Sequence, residues 1–485
     1  MASASRAPRW LTLTTVSITQ LMVVMNLTII AVALPSAQRA LHFSSGDREW
    51  LLTAYVVAFG SLLLVGGRLS DRWGPRRTLV LGLGGFALAS ALGGVAESYG
   101  LLVGARAAQG LFGALLAPAA LATLSVTFVD PQQRAKAFAL FGALTGSGAA
   151  LGLVLGGALT QWQSWRWCLE VNLVFAALAM LGVVRGVARG APRPAARADV
   201  VALAVVTGGL FCVLAGLSRA ADSSGSGRTT GAALVIGAGL VAGFVAWQVR
   251  ARSPLVARRL LVNRTRAGSL VALFISSVGL VGISLLLAYY LQGTLGYSPL
   301  RTGVAFVPMV GALGLSASVV SARLLAQVGP RPIVPAGMVL ATLGLILFTK
   351  LTVHPDYLGN VLPGLIVSGL GLGLILAPAM ASATAGTARA DAGAAAALVN
   401  VAQIGGAALG AALLNTIATA VSLRALHAQP TAAVMARVWS ARATVHGYAV
   451  AFWWAAGIVG VGAILSFVVL ESGVNEFADE RVASP

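Results

Sequence analysis

GRLSDRWGPRR, running from Gly67 to Arg77, is a knot of charge between two long apolar runs. Further along, the chain returns to it as ARLLAQVGPR, from Ala322 to Arg331. The constant offset matches Arg68 to Arg323, Leu69 to Leu324, Gly74 to Gly329, Pro75 to Pro330 and Arg76 to Arg331. A second echo sets LLAPAALAT around Pro118 against ILAPAMASA around Pro378, at nearly the same offset. A repeat unit this long is far beyond solenoid periods, so the chain holds two similar halves.

The sequence between these marks is mostly apolar. Of 485 residues, 58% are hydrophobic and 10% charged, and the mean hydropathy is +0.88. Soluble domains run near 25% charged, and disordered chains need low hydrophobicity, so both classes are excluded. A bilayer-crossing helix needs about 20 apolar residues, and fourteen runs between residue 10 and residue 470 meet that length. They are continuous rather than alternating, which excludes a β-barrel. The first is too long for a signal peptide, and no small-residue cleavage site follows it. The fold expected is an all-α polytopic membrane protein. Residues 1–190 form an N-terminal six-helix half, 191–252 carry two inserted helices with basic seams, 253–472 form a C-terminal six-helix half, and 473–485 are an acidic tail.

The formal charge of +19 invites a nucleic-acid reading, and placement argues against it. With the N-terminus inside, 22 of the 33 basic residues fall on cytoplasmic ends and loops, 10 fall outside, and Arg106 lies within a span. That bias predicts both termini in the cytoplasm. The basic stretch from Arg250 to Arg266 then meets anionic lipid headgroups. Arginine outnumbers lysine 31 to 2, which suggests a GC-rich genome. Cys168 and Cys212 lie in apolar runs without disulfide or metal spacing, and no histidine pair has ligand spacing. No glycine-rich run ends in Gly-Lys-Ser/Thr, and no hydrolase or zinc signature occurs, so neither an ATP-driven pump nor an enzyme is expected.

GRLSDRWGPRR resembles the loop signature of the major facilitator superfamily. The run Gly104-Ala-Arg106-Ala-Ala-Gln109-Gly110 resembles the superfamily's span-4 motif. Gly146-Ser-Gly148-Ala-Ala-Leu-Gly152-Leu-Val-Leu-Gly156-Gly157 resembles its span-5 antiporter motif, with Leu153 where proline is usual. Trp165-Arg166-Trp167 with Asn172, and the run from Asn400 through Gln403, Gly405 and Gly406 to Gly410, look like its fourteen-helix drug:proton antiporter branch. The resemblance implies a major facilitator fold, two six-helix halves plus two inserted helices, with parallel halves rocking about a central site.

It also implies roles. Arg106 faces the cavity and takes part in proton coupling. A charge at membrane depth is costly and needs a partner or a cavity, unless the side chain snorkels to the interface. Gln109 lies one turn on, on the same face, where an interhelical hydrogen bond is the plainer role. Asp71, with Arg72 and Arg76, latches the outward-facing state by capping a helix. As plain topology determinants these charges need no such role. Ala326 replaces Asp71 in the second copy. Gly148, Gly152 and Gly156 lie on one face with Gly157 flanking, letting two backbones approach closely; the resemblance sets this surface where the halves meet. At Asn26 relatives commonly carry an acid, and an amide cannot hold a proton. Glu170 is then the first choice of proton carrier by depth, the alternative being a solvated residue beside Arg166.

Substrate contacts are expected from Met22, Asn26, Tyr55, Gln109, Phe274, Tyr289, Gln292, Asn400, Gln403, Asn415 and Trp453, since aromatics and methionine suit an adaptable apolar pocket. The resemblance implies a secondary transporter, read here as a monomer, that exports apolar or amphipathic small molecules such as drugs or antibiotics across a bacterial inner membrane in exchange for protons, by alternating access. It needs no metal or cofactor beyond the proton gradient, and its partners are substrate, protons and lipid. A metabolite facilitator or importer is the alternative, and a non-transporting receptor a weaker one.

Overall fold

The structure, a computed structural model, describes residues 9–43, 48–187, 200–221, 227–250, 263–353, 356–387, 391–427 and 436–471. The acidic tail and most of the two basic seams lie outside these residues. Each apolar run is helical. The first half comprises α1 (Arg9–Leu41), α2 (Arg48–Trp73), α3 (Pro75–Gly94), α4 (Tyr99–Thr127), α5 (Pro131–Trp162) and α6 (Trp167–Gly186). The insertion is α7 (Val200–Ala221) and α8 (Gly227–Arg250).

The second half begins with α9 (Arg264–Tyr289), which runs on into a π-turn at Tyr290–Thr294. α10 is a broken rod of Pro299–Ala305, Val307–Leu315, a π-turn at Ser316–Ser321 and Ala322–Val328. α11 (Pro330–Phe348), α12 (a π-turn at Tyr357–Val361, then Leu362–Ala383), α13 (Ala392–His427) and α14 (Ala436–Val469) complete it.

Twelve of these helices are long and apolar enough to cross a membrane. α5 makes a thirteenth if its two segments, bent by 45°, count as one span, and the apolar stretch of α7, Val201–Leu217, is shorter. Helices dominate because lipid offers no partner for a bare peptide group. Local capping sets their starts. Ser98 accepts from the Leu101 amide and Asp130 from that of Gln133, and Asn263 accepts from Arg266 and Ser298 from Arg301. Trp10, Trp50, Trp73, Trp162 and Trp167 are exposed near helix ends, where indoles sit at membrane interfaces.

The repeat read from the loops is carried by the packing. In the first half α1 packs on α5 and α6, α2 on α4, and α3 on α4 and α6. In the second half α9 packs on α13 and α14, α10 on α12, and α11 on α12 and α14. The two Gly-Pro-Arg turns are the same structure. Gly74 (φ 85°) and Gly329 (φ 72°) each adopt a left-handed backbone ahead of a proline that opens the next helix. The halves meet through α2 with α13 and α5 with α10, and through α4 with α13 and α5 with α12. Each pair is the other's image on exchange of the halves.

α7 lies along the α2–α13 seam and packs on both helices. Ala202 and Val206 of α7 share an apolar cluster with Leu64 of α2 and Ala397 of α13. α8 packs on α7 and is almost wholly exposed on its other faces. The insertion is a hairpin laid across one seam.

Candidate functional site

Two polar constructions stand out in an otherwise apolar bundle. The first is inside the first half. Arg106, on α4, is completely buried, as are Asn26 on α1, Tyr55 on α2, Ser90 on α3, Gln109 on α4 and Asn172 on α6. The Arg106 guanidinium donates to Gln109 Oε1 at 2.8 Å, to the Leu51 carbonyl at 3.1 Å and to the Asn26 carbonyl at 3.4 Å. Its Cζ lies 4.6 Å from the centre of the Tyr55 ring, a cation–π distance. Gln109 passes the chain on, donating to Ser90 Oγ at 2.7 Å. Asn26 donates to Gln109 Oε1 and accepts from Asn172 Nδ2, both at 3.4 Å. The Tyr55 hydroxyl donates to the Val23 carbonyl at 3.0 Å.

Five helices thus converge on one cation, and every hydrogen-bond partner of that cation is neutral. A charge stripped of water needs its donors satisfied, and carbonyls plus an aromatic face do this without a counter-ion. Asn172 Oδ1 is buried in this network with no hydrogen-bond partner.

The second construction is at the end of the bundle where α2 finishes and α5 and α13 begin. Asp71 Oδ1 accepts from the Gly393 amide at 2.7 Å and Oδ2 from the Ala394 amide at 3.1 Å. A carboxylate of one half thereby caps the first turn of α13 in the other, where the helix presents bare N–H groups and partial positive charge. The contact needs the backbones to touch: a Cβ on Gly393 would meet the Asp71 carboxylate at 2.7 Å. Arg76 donates to the Val184 carbonyl near the end of α6, and Arg72 is exposed.

Nearby, Arg134 is buried at the start of α5. It donates to the Ala381 carbonyl at 3.3 Å and Thr384 Oγ1 at 3.1 Å, across the seam, and to Ser125 within its own half. Arg266, at the start of α9, donates to the carbonyls of Ala383 and Ala385.

The glycine motif divides between two surfaces. Gly148, Gly152 and Gly156 face α1 of their own half, where added Cβ atoms would meet Val24, the Met25 carbonyl and the Ile29 carbonyl. These three therefore do not form the surface between the halves; four-residue spacing puts them on the side of α5 that α1 covers. Gly157 does face the other half, against Leu300, as do Gly142 against Ala377 and Gly146 against Leu313. Gly303 of α10 reciprocates against Val154. The α13 run repeats the first arrangement: Gly406 and Gly410 press on the Phe274 and Val278 backbone of α9.

Of the expected substrate contacts, Met22, Asn26, Tyr55 and Gln109 are sealed in the first half and Asn400 is buried, bonded to Ala396. Tyr289 and Gln292 are exposed, and Phe274, Gln403 and Asn415 are partly exposed. Trp453 lies away from this network, lining a groove of about 520 Å³ with Ile275, Trp454, Gly457, Ile458 and Val461. Glu170 is half-buried in the first turn of α6, its side chain against Gly94 of α3.

Ser90, Arg134 and Arg266 were not singled out from sequence. Serine in an apolar run reads as a small packing residue, and the two arginines read as topology charges. The one available signal was that both arginines sit at the first turn of a helix, where a cation is unfavourable without another partner.

Two six-helix halves with this packing admit a comparison. The model of the family described as Major Facilitator Superfamily matches residues 16–411. The chain belongs to the major facilitator superfamily. As a facilitator it is 42% identical, over 97% of its length and 93% of the other's, to the puromycin resistance protein pur8 of Streptomyces alboniger. It is 31% identical, over 86% and 83%, to the multidrug efflux pump LfrA of Mycolicibacterium smegmatis. Its fold is similar to that of the human organic anion transporter MFSD10 (TETRAN), with a TM-score of 0.64, 16% identity, and 95% and 99% of the two chains covered. This facilitator is a multi-pass membrane protein and not an enzyme.

Proposed function

We propose that this facilitator exports apolar or amphipathic small molecules of the antibiotic class across a bacterial inner membrane, in exchange for protons, by alternating access. Similarity over nearly the whole length to a protein named for puromycin resistance carries the reading. The structure supports it with two pseudo-equivalent halves that are pinned at one end by Asp71 on α13 and Arg134 on α12. Parting there and closing at the other end moves a central site between the two faces. With both termini cytoplasmic, the pinned end is the cytoplasmic one.

In this mechanism Arg106 holds α1, α2 and α4 as one body through carbonyls and Gln109, so motion in any one reaches the others. Asn26 accepts and donates hydrogen bonds but holds no proton at neutral pH. The proton therefore moves through a carboxylate outside the Arg106 shell, with Asp71, Glu170 and the buried Asp391 as the candidates. The energy source is the proton gradient, and the working unit is the monomer.

The test is uptake into inverted membrane vesicles of a labelled panel that includes puromycin. Accumulation that needs an inward-acid pH gradient and is lost in Arg106→Ala is the expected result. A panel with no gradient-dependent accumulation would sink the antiport reading. Full-rate counterflow without a gradient would favour facilitated diffusion over antiport.

A further inference from the structure

We propose that Arg134 is a second, state-selective clamp between the halves, and that Arg266 is the resident cap that makes its release possible. The inference rests on alternating access but not on any particular substrate. α12 ends at Ala383, and its last carbonyls lack partners within the helix, carrying partial negative charge. Two guanidiniums converge on this end from different halves. Arg134, 7% exposed on α5, takes the Ala381 carbonyl and Thr384 Oγ1. Arg266, 6% exposed on α9, takes the Ala383 and Ala385 carbonyls and Thr387 Oγ1.

Asp71 caps the start of α13 a few residues later. The first half thus grips two adjacent helix ends with opposite charges, a cation on the C-terminal end of α12 and an anion on the N-terminal end of α13. When the halves part, Arg134 and Asp71 leave together. Arg266 belongs to the second half and stays, so the α12 terminus remains capped by a cation throughout the cycle. Arg134 also retains its bond to the Ser125 carbonyl of its own half and its place 5.1 Å from the Phe138 ring. Its release does not leave it bare. Arg134 is therefore a positioning residue, one that biases which end is shut.

The experiment uses the full chain with Cys168 and Cys212 replaced by alanine. Spin labels go on Gln132→Cys and Gln327→Cys, exposed sites at this end in opposite halves. Distances are measured by pulsed electron resonance in nanodiscs with no substrate and no gradient, so failure of the efflux reading leaves this result interpretable. The parent should give a short-distance population. Arg134→Gln should raise the ratio of long to short distances by about ten-fold, as expected for losing charge-assisted hydrogen bonds, and Arg134→Lys by less. Arg266→Gln, which removes the cap that stays when Arg134 leaves, should lower that ratio and never raise it. Thr384→Val, a milder change, should shift them in the Arg134→Gln direction and serves if Arg134→Gln does not elute as a folded monomer. Parental distances in Arg134→Gln, or in both Arg134→Lys and Thr384→Val, would overturn the proposal. So would an equal shift in Arg266→Gln, because then the integrity of α12 and not a clamp sets the distance.

Discussion

Arg106 shows what a single charged side chain at membrane depth demands. Its position was legible in the sequence as a lone cation in an apolar run. Its partners were not, because backbone carbonyls of α1 and α2 leave no mark in a sequence, and Ser90 looks like any small residue. The network predicts that Arg106→Lys fails where charge alone is conserved. An ammonium on a flexible stem cannot reach Leu51, Asn26 and Gln109 in the guanidinium's fork geometry. Vesicle uptake should fall at least about ten-fold at unchanged expression, the effect of one lost charged hydrogen bond.

Asn26 gives a sharper contrast. Asn26→Leu removes one hydrogen bond each from Gln109 and Asn172, which keep Arg106, Ser90 and the Leu169 carbonyl, and should cost about 2 kcal/mol, at roughly 1 kcal/mol for each bond lost. Asn26→Asp still accepts from Asn172 and lies beside the cation, so it should fold nearly as well as the parent. Thermal unfolding in detergent separates the two, and an Asn26→Leu midpoint equal to that of Asn26→Asp would contradict the network.

At the scale of helices, the glycines of α5 were visible as a motif, but which neighbour they served was not. Periodicity puts residues on a common face without saying what covers it. The structure shows one stripe closing on α1 and another, through Gly142, Gly146 and Gly157, closing on the other half. The same distinction sorts the glycines by consequence. A side chain at Gly152 would drive into the Met25 carbonyl at 2.7 Å, whereas one at Gly104 has nothing within 4 Å. Gly152→Val should therefore separate α5 from α1 and lower both stability and uptake. Gly104→Ala, two residues from Arg106, should be neutral or stabilising by up to about 1 kcal/mol through helix propensity. Thermal midpoints and vesicle uptake on the pair check this, and loss of function in Gly104→Ala would mean that the motif glycine serves something other than packing.

For the whole molecule, two halves were legible from ten residues of loop, since a Gly-Pro turn with a left-handed glycine is a demanding local structure that both copies had to keep. The place of the inserted hairpin was not, because α7 and α8 have no internal counterpart to align with. α7 lies on both halves and α8 on α7. α6 ends and α9 begins at the same face of the bundle, as an insertion of two crossings requires. A chain with residues 200–250 replaced by a flexible linker should therefore insert and elute as a folded monomer, with a lower thermal midpoint from the uncovered α2–α13 seam. Failure to insert would show that the hairpin is needed to build the halves and not only to cover them.

The grip on α12 and α13 falls mainly on peptide groups: the amides of Gly393 and Ala394 and the carbonyl of Ala381. Peptide groups are the same whatever residue carries them. Evolution can therefore rewrite side chains along these two helices while the lock stays keyed. The constraint falls instead on a few positions of the other half and on glycine at 393. Such an arrangement lets the side chains of these helices change without altering how the halves engage.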